Sequence, residues 1–286
     1  SSVPHISKTQ IENFEVPKFD LIAQRKIASV LSSLDDKIEL NNKLNDNLEQ
    51  MAKTIYDYWF VQFDFPDENG KPYKSSGGKM IYNGQLKREI PAGWEVIKLA
   101  EIISVTDGTH DSPKYVSNGF PLVTSKDLNK GGINFSQTNK ISKKDYDNIN
   151  LRSKVSSGDI LFSMIGSIGN IYAVNEIDVN FAIKNVALFK TSKKAEFKNF
   201  FYQYLYSYDI ERYLPNVISG SIQKFIGLSS LRNSPILYNE NMINYFDAHT
   251  KYIYDRIRTN VLQNQELAQL RDWLLPMLMN GQVAVK

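Results

Sequence analysis

The feature that most constrains this chain is an internal repeat. Residues 7–60 recur as 227–279, on either side of a stretch of different character. Adding 219 carries Asp36, Lys37 and Ile38 onto Asp255, Arg256 and Ile257, and Leu48, Met51, Ile55 and Trp59 onto Leu267, Leu270, Leu274 and Leu278. The apolar register survives where the polar residues have drifted. With one residue of slippage, Ile6, Ile11, Asn13 and Val16 fall on Ile226, Leu231, Asn233 and Ile236, so each copy is an irregular lead-in followed by a long helical pattern. The period is far too long for a solenoid. It predicts a single helix pair related by approximate twofold symmetry.

From Leu21 to about Phe60 there is no proline or glycine, and Ile27, Leu31, Leu34, Ile38, Leu44, Leu48, Met51, Ile55 and Trp59 recur at spacings of three and four. This is an amphipathic helix. Its second copy runs from about Asn241 to Asn280, with Phe246, Ile253, Ile257, Val261, Leu267, Leu270, Leu274 and Leu278 on the stripe and Gly281 as a stop. Each helix is expected to be about 60 Å long at 1.5 Å per residue. Such narrow stripes cannot hold a lone helix in water, so the spacing predicts a coiled coil. Leu31, Leu34, Ile38, Leu48 and Ile55 would meet Ile253, Ile257, Leu267 and Leu274 across it. Asn41 and Asn260, equivalent under the repeat, either fix the register of this seam or lie on its solvated edge.

The rest of the chain divides by composition. Residues 1–20 are the lead-in, 21–62 the first helix and 63–90 an exposed connector rich in turn formers, from Phe63-Asp-Phe-Pro to Ser-Gly-Gly-Lys79. Residues 91–238 carry short alternating stretches, such as Glu95 to Ile103, Asp159 to Met164 and Asn170 to Val174, which read as strands; residues 239–286 hold the second helix. One shorter helical pattern, Phe197 to Leu214, would cover the strands. The fold class is therefore α+β, a mixed, strand-rich domain plus two long helices. Residues 91–238 hold 17 lysines and arginines against 13 aspartates and glutamates, so the net charge of +3 is concentrated between the helices. That balance points mildly to a polyanionic partner, although solvated surface lysines produce it too.

Several chemistries are excluded or unsupported. With no cysteine there is no disulfide, thiolate nucleophile or zinc–thiolate cluster, which fits a reducing cytoplasm. His5, His110 and His249 are too scattered for a metal motif. No apolar run approaches the roughly 18 residues of a membrane span, and the N-terminus has no signal-peptide pattern. Phosphate-binding loops, dinucleotide turns, His-Glu-x-x-His and the Asn/Asp-Pro-Pro-Tyr of adenine methyltransferases are all missing. Pro66-Asp67-Glu68 looks like the opening of a nuclease carboxylate set, but no Glu-x-Lys follows at workable spacing. A chain without a catalytic or metal site is expected.

Three loops of the central segment are more specific: Asp107-Gly-Thr-His-Asp-Ser-Pro-Lys-Tyr115, Ser163-Met-Ile-Gly-Ser-Ile-Gly169 and Ser219-Gly-Ser-Ile-Gln-Lys-Phe225. With Gly93-Trp-Glu-Val-Ile-Lys-Leu99, Ser157-Gly-Asp-Ile-Leu-Phe162 and Leu228-Ser-Ser-Leu-Arg-Asn233, they resemble the target recognition domain of the specificity subunit of type I restriction-modification systems. Ala23-Gln-Arg-Lys-Ile-Ala-Ser-Val-Leu31 and Phe65-Pro-Asp-Glu-Asn-Gly-Lys-Pro-Tyr73 look like that family's central conserved region. The resemblance covers almost the whole chain. A full specificity subunit is similar to two recognition domains, each followed by a long helix, with the helices antiparallel as a spacer. Here one recognition domain accompanies two helices, and Pro4-His-Ile-Ser-Lys-Thr-Gln10 resembles the tail of another, as in a half-length subunit.

The resemblance implies a non-catalytic protein that binds double-stranded DNA, reads one half of a bipartite target and docks two methyltransferase subunits and a restriction/translocase subunit. S-adenosylmethionine, ATP and Mg would then reside on those partners, and a half-subunit would work as a homodimer. Helices of about 60 Å hold reading heads more than one 34 Å turn of B-DNA apart. Base reading needs polar side chains on loops, with cations positioned on phosphates. His110, Lys114, Tyr115, Ser125, Lys126, Gln223 and Lys224 have that chemistry, and Gly166 and Gly169 would let backbone approach phosphate; ordinary surface or turn roles are the alternative for each. Ser219 and Gly220 read as turn formers and Trp94 as core. The rival class is a non-catalytic coiled-coil adaptor whose central domain binds another protein.

Overall fold

The computed structural model describes residues 6–13, 17–129 and 132–285. Phe14 and Val16, assigned above to the lead-in strip, lie outside them, as do Pro4 and His5. Two compact units are present, residues 1–46 with 257–286 and residues 47–256.

In the first unit the partner numbers on the two long helices sum to a nearly constant value, which is the signature of antiparallel packing. Arg271 Nη1 donates to Asp35 Oδ1 at 2.8 Å, Asn41 Nδ2 to Asn264 Oδ1 at 2.8 Å and to Gln263 Oε1 at 2.9 Å, and Asn260 Nδ2 to Asn45 Oδ1 at 2.8 Å. Shifting by 219 turns the Asn41–Asn264 pair into the Asn260–Asn45 pair with donor and acceptor roles kept, so the approximate twofold read from the sequence is realised in hydrogen bonds. Asn41 and Asn260 are fully buried, which places them in the seam and not on its edge. The aliphatic positions Leu31, Leu34, Ile38, Ile257, Leu267 and Leu274 are half-buried here, and Leu48, Ile55 and Ile253 are half-buried in the second unit. Leu44, Met51 and Leu270 are exposed, so the apolar stripe is wider than the buried seam.

The lead-ins repeat as faithfully as the helices. Lys8–Glu12 and Leu228–Arg232 are both single helical turns that end on an asparagine, Asn13 (φ −93°, ψ 3°) and Asn233 (φ −90°, ψ 3°). Each cap N–H reaches back to equivalent carbonyls, those of Thr9 and Ile11 in one and of Ser229 and Leu231 in the other. Their surroundings differ sharply. Ile226 and Leu231 are 1% and 2% exposed, whereas their counterparts Ile6 and Ile11 are 75% and 65% exposed.

The first long helix spans Leu21–Tyr56 and finishes in a wide turn, Asp57–Val61, before Phe63 adopts φ 65° and breaks it. The second spans Glu240–Met279. In the second unit their inner ends meet an aromatic core: Phe60 lies 4.7 Å from Phe200 and 5.6 Å from Phe246, and Trp59 stacks on Tyr245 at 5.2 Å. The stretch expected to be an exposed connector is anchored in this core at its start, while most of residues 67–79 are exposed. Phe63 and Phe65 are buried against Trp94, and a hairpin pairs Met80–Asn83 with Arg88–Pro91. Turn-forming residues hid the two phenylalanines because they obey no period.

A four-stranded antiparallel sheet runs in the order Ile171–Ala173, Ile160–Ser163, Val186–Phe189 and Val105–Asp107. Its central strands are buried on both faces. Ile160, Phe162, Ala187 and Phe189 join the aromatic core, while Leu161, Val186 and Leu188 face a second core with Val123, Val155 and Ile183. A second sheet pairs Tyr115–Thr124 in parallel with Ala182–Lys184 and antiparallel with Asn139–Ile141. Glu95–Lys98 pairs with Pro235–Tyr238, bringing the two ends of the central segment together.

Two further expectations need correction, and one helix is new. The strand expected over Glu95 to Ile103 stops at Lys98, because Glu101 accepts the Lys98 N–H at 3.2 Å and starts a short helix that buries Leu99. The helix expected from Phe197 to Leu214 is two, Ala195–Tyr204 and Tyr208–Tyr213, with Ser207 as an extended N-cap between them. The helix Lys143–Ser153 was not anticipated, since most of its residues are polar; Ser142 caps it by accepting from the Asp145 N–H at 3.1 Å.

Candidate nucleic-acid interface

Four segments that are distant in sequence are tied into one edge of the second unit. The first is the loop that leaves the Val105–Asp107 strand. Gly108 packs against strand Ala182–Lys184 so closely that a Cβ there would lie 2.2 Å from Ile183 O, and the Thr109 N–H donates to that same carbonyl at 3.1 Å. Asp107, 6% exposed, is the hub: its Oδ2 is 2.8 Å from His110 Nε2, and Oδ1 accepts from Arg152. On its other edge His110 Nδ1 lies 2.7 Å from the Asn185 side chain, and Asn185 itself has φ 54°. The imidazole is exposed yet wedged between two segments, so it holds the loop's shape. Lys114 follows on the same loop and Tyr115 opens the next strand, both exposed.

The second segment is the turn Thr124–Asp127. Asp127 Oδ2 accepts from the Thr124 N–H at 2.8 Å and from its hydroxyl at 2.7 Å, and Lys126 points outward from the corner thus fixed. Ser125 is buried. Its hydroxyl donates to Asn185 O at 2.8 Å and accepts from Met164 N at 3.2 Å, so Ser125 is an anchor and offers no free hydroxyl to a base.

Ser163–Gly169 is the third segment and Ser219–Phe225 the fourth. Ser163 closes its own loop by accepting from Asn170 N at 2.8 Å and donating to Ser167 O. Gly166 and Gly169 have φ 74° and 96°, and a Cβ on either would meet nothing within 4 Å. The positive φ accounts for glycine at both positions, and the Gly169 N–H is engaged by Ser163 O at 3.2 Å. The Gly166 N–H donates to Lys224 O at 3.0 Å, and Ile226 N donates to Met164 O at 2.9 Å. These bonds seat the hairpin of Ile218–Ser219 and Phe225–Ile226 on the third loop. Ser221, Ile222, Gln223 and Lys224 at its tip are all exposed.

His110, Ser125, Gly166 and Lys224 are thus joined through Asn185 and the Met164–Ile165 backbone. Lys114, Lys126 and Lys224 are exposed and form no ion pair among the described residues, which leaves their charge available to a polyanion. Arg152 and Asn185 did not emerge from the sequence, because their side-chain contacts span 44 to 75 positions. Among the described residues no group of His, Asp or Glu is arranged to hold a metal ion, and no helix is long and apolar enough to cross a membrane.

The family described as "Type I restriction modification DNA specificity domain" matches residues 1–50 and 91–238. The chain belongs to this family. It is 29% identical over its whole length to the type I restriction enzyme MjaIX specificity subunit of Methanocaldococcus jannaschii, covering 64% of that protein. It is 21% identical over 98% of its length to the HindI specificity subunit of Haemophilus influenzae, covering 71% of it. The chain thus spans about two thirds of these specificity subunits. The crystal structure of a type I restriction-modification system S subunit from M. genitalium shares the fold, with TM-score 0.54 at 16% identity over 91% of this chain and 61% of that one.

Proposed function

We propose that the chain is the DNA sequence-recognition subunit of a type I restriction-modification complex and has no catalysis of its own. Residues 91–238 read one half of a bipartite target, and the two long helices set the distance to a second reading head and dock the methyltransferase and restriction/translocase subunits. S-adenosylmethionine, ATP and Mg act on those partners. The observation that carries this reading is the hydrogen-bonded convergence of four loops into one exposed edge with three lysines that form no ion pair among the described residues. Backbone-anchored polar loops with free cations are what groove reading requires. The test is to map methylated adenines in cells that express the chain with its methyltransferase, then exchange residues 91–238 for those of a relative. The methylated half-site should change while the complex still assembles; an unaltered half-site refutes the assignment.

A second element of the proposal is a homodimer. The approximate twofold of the helix pair lets two copies meet through matching surfaces and present two recognition domains. The target is then an inverted repeat with a fixed spacer. Light scattering combined with the methylation map tests this, and a monomer in the assembled complex or an asymmetric target rules it out.

A further inference from the structure

Ile222 is the most solvent-exposed large apolar side chain among the described residues, at 101% of its reference surface, and it sits at the tip of the recognition hairpin. The tip is a closed turn. Gly220 has φ 94°, and a Cβ there would lie 2.2 Å from Gln223 O, so the chain doubles back tightly beneath Ile222. Below it the hairpin is pinned to the neighbouring loop through Lys224 O, the Ile165–Phe225 bridge and the Ile226 N–H. The isoleucine is therefore carried outward on an anchored base, between Ser221 and the exposed pair Gln223 and Lys224.

A lone exposed isoleucine is unremarkable on most surfaces. Here its neighbours are an amide of the kind that reads base edges and a cation of the kind that contacts phosphate. Among the groups presented in the major groove, the thymine C5-methyl is the one a branched aliphatic side chain recognises. We propose that Ile222 is a specificity-determining residue that packs against a thymine methyl group in the major groove while Gln223 reads an adjoining base edge. The inference rests on the DNA-recognition reading above and assigns chemistry to one side chain within it.

The probe is a duplex carrying the methylated target sequence, bound to the assembled methyltransferase complex, with each thymine replaced in turn by deoxyuridine, which lacks only the methyl group. In the wild type, one position should weaken binding about fourfold, the worth of one buried methyl, and the others should be neutral. The Ile222→Ser complex should bind the unmodified duplex more weakly by a similar or larger factor and be indifferent to deoxyuridine at that position. Ile222→Val should keep most of the discrimination. Because Ile222 lies in solvent, neither variant should change thermal unfolding. Uniform tolerance of deoxyuridine by the wild type, a penalty that persists in Ile222→Ser, or a half-site with no thymine would each overturn the contact. An equal loss by Ile222→Ser on every sequence would identify a wedge between base pairs instead. A wild-type complex with no sequence preference at all would refute the recognition reading itself, and this contact with it.

Discussion

Replacing Arg88 with methionine tests how the first long helix is fastened to the recognition domain. The guanidinium pairs with Asp209 at 2.7 Å, lies 4.9 Å over the Phe63 ring, and reaches the last carbonyls of the helix turn, Phe60 O at 3.3 Å and Val61 O at 3.4 Å. Methionine keeps the apolar stem and removes the charge. Asp209, whose side chain is 10% exposed, is then left without its cation, and breaking a buried pair in this way costs about 3–5 kcal/mol. The 20% exposure of Arg88 places this pair at the lower end, while the cation–π contact adds about 1 kcal/mol. The two long carbonyl bonds add little. A loss of about 4 kcal/mol is expected in urea unfolding followed by tryptophan fluorescence, since Trp59 and Trp94 lie in this core. Adding Asp209→Asn should recover about half of it, because the stranded charge disappears. A change below about 1 kcal/mol in Arg88→Met, or no recovery in the double variant, would refute the account.

Lys126→Ala and Lys224→Ala should each weaken DNA binding across sequences and lower the slope of log K against log salt by about 1, whereas Gln223→Ala should alter preference at one base pair; fluorescence anisotropy titrations over a salt series separate the two behaviours. Gly220→Ala forces a Cβ onto Gln223 O and an unfavourable φ, so it should distort the hairpin tip and reduce target affinity, with a local cost of about 1 kcal/mol or more in calorimetric unfolding. Ile38→Asp combined with Ile257→Asp introduces charges at half-buried seam positions and should cost about 2 kcal/mol or more. Thermal unfolding unchanged in that double variant would contradict the helix pairing.

The long helices and their mutual orientation were legible because packing imposes a period, and a repeat doubles the evidence for it. Asn41 and Asn260 show where legibility ends: the sequence marks them as equivalent, but only their partners Asn264 and Asn45 reveal that they are buried. The loops of the candidate interface were found from local composition, and the structure brings them together. What holds them together was not readable, since Arg152 and Asn185 act across the fold and an isolated asparagine or arginine carries no spacing. Phe63 and Phe65 were missed for the opposite reason, lying in a turn-rich stretch whose composition argues for solvent. Helix Lys143–Ser153 was missed because its exposed residues show no apolar period, although Ser142 and Asp145 form a readable cap.

The asparagines in the helix seam have a consequence for how the molecule responds to its medium. Amides carry no charge between strongly acid and strongly alkaline conditions, so the hydrogen bonds they make across the seam neither titrate nor are screened by ions. Asp35–Arg271, an ion pair across the same seam, is exposed and contributes little. On the proposed DNA-recognition reading the lysine-bearing edge behaves in the opposite way, because a hold on a polyanion weakens steeply as counterions accumulate. Changes in ionic strength would then regulate grip without disturbing gauge, releasing one DNA strand and taking up another with the asparagine register intact.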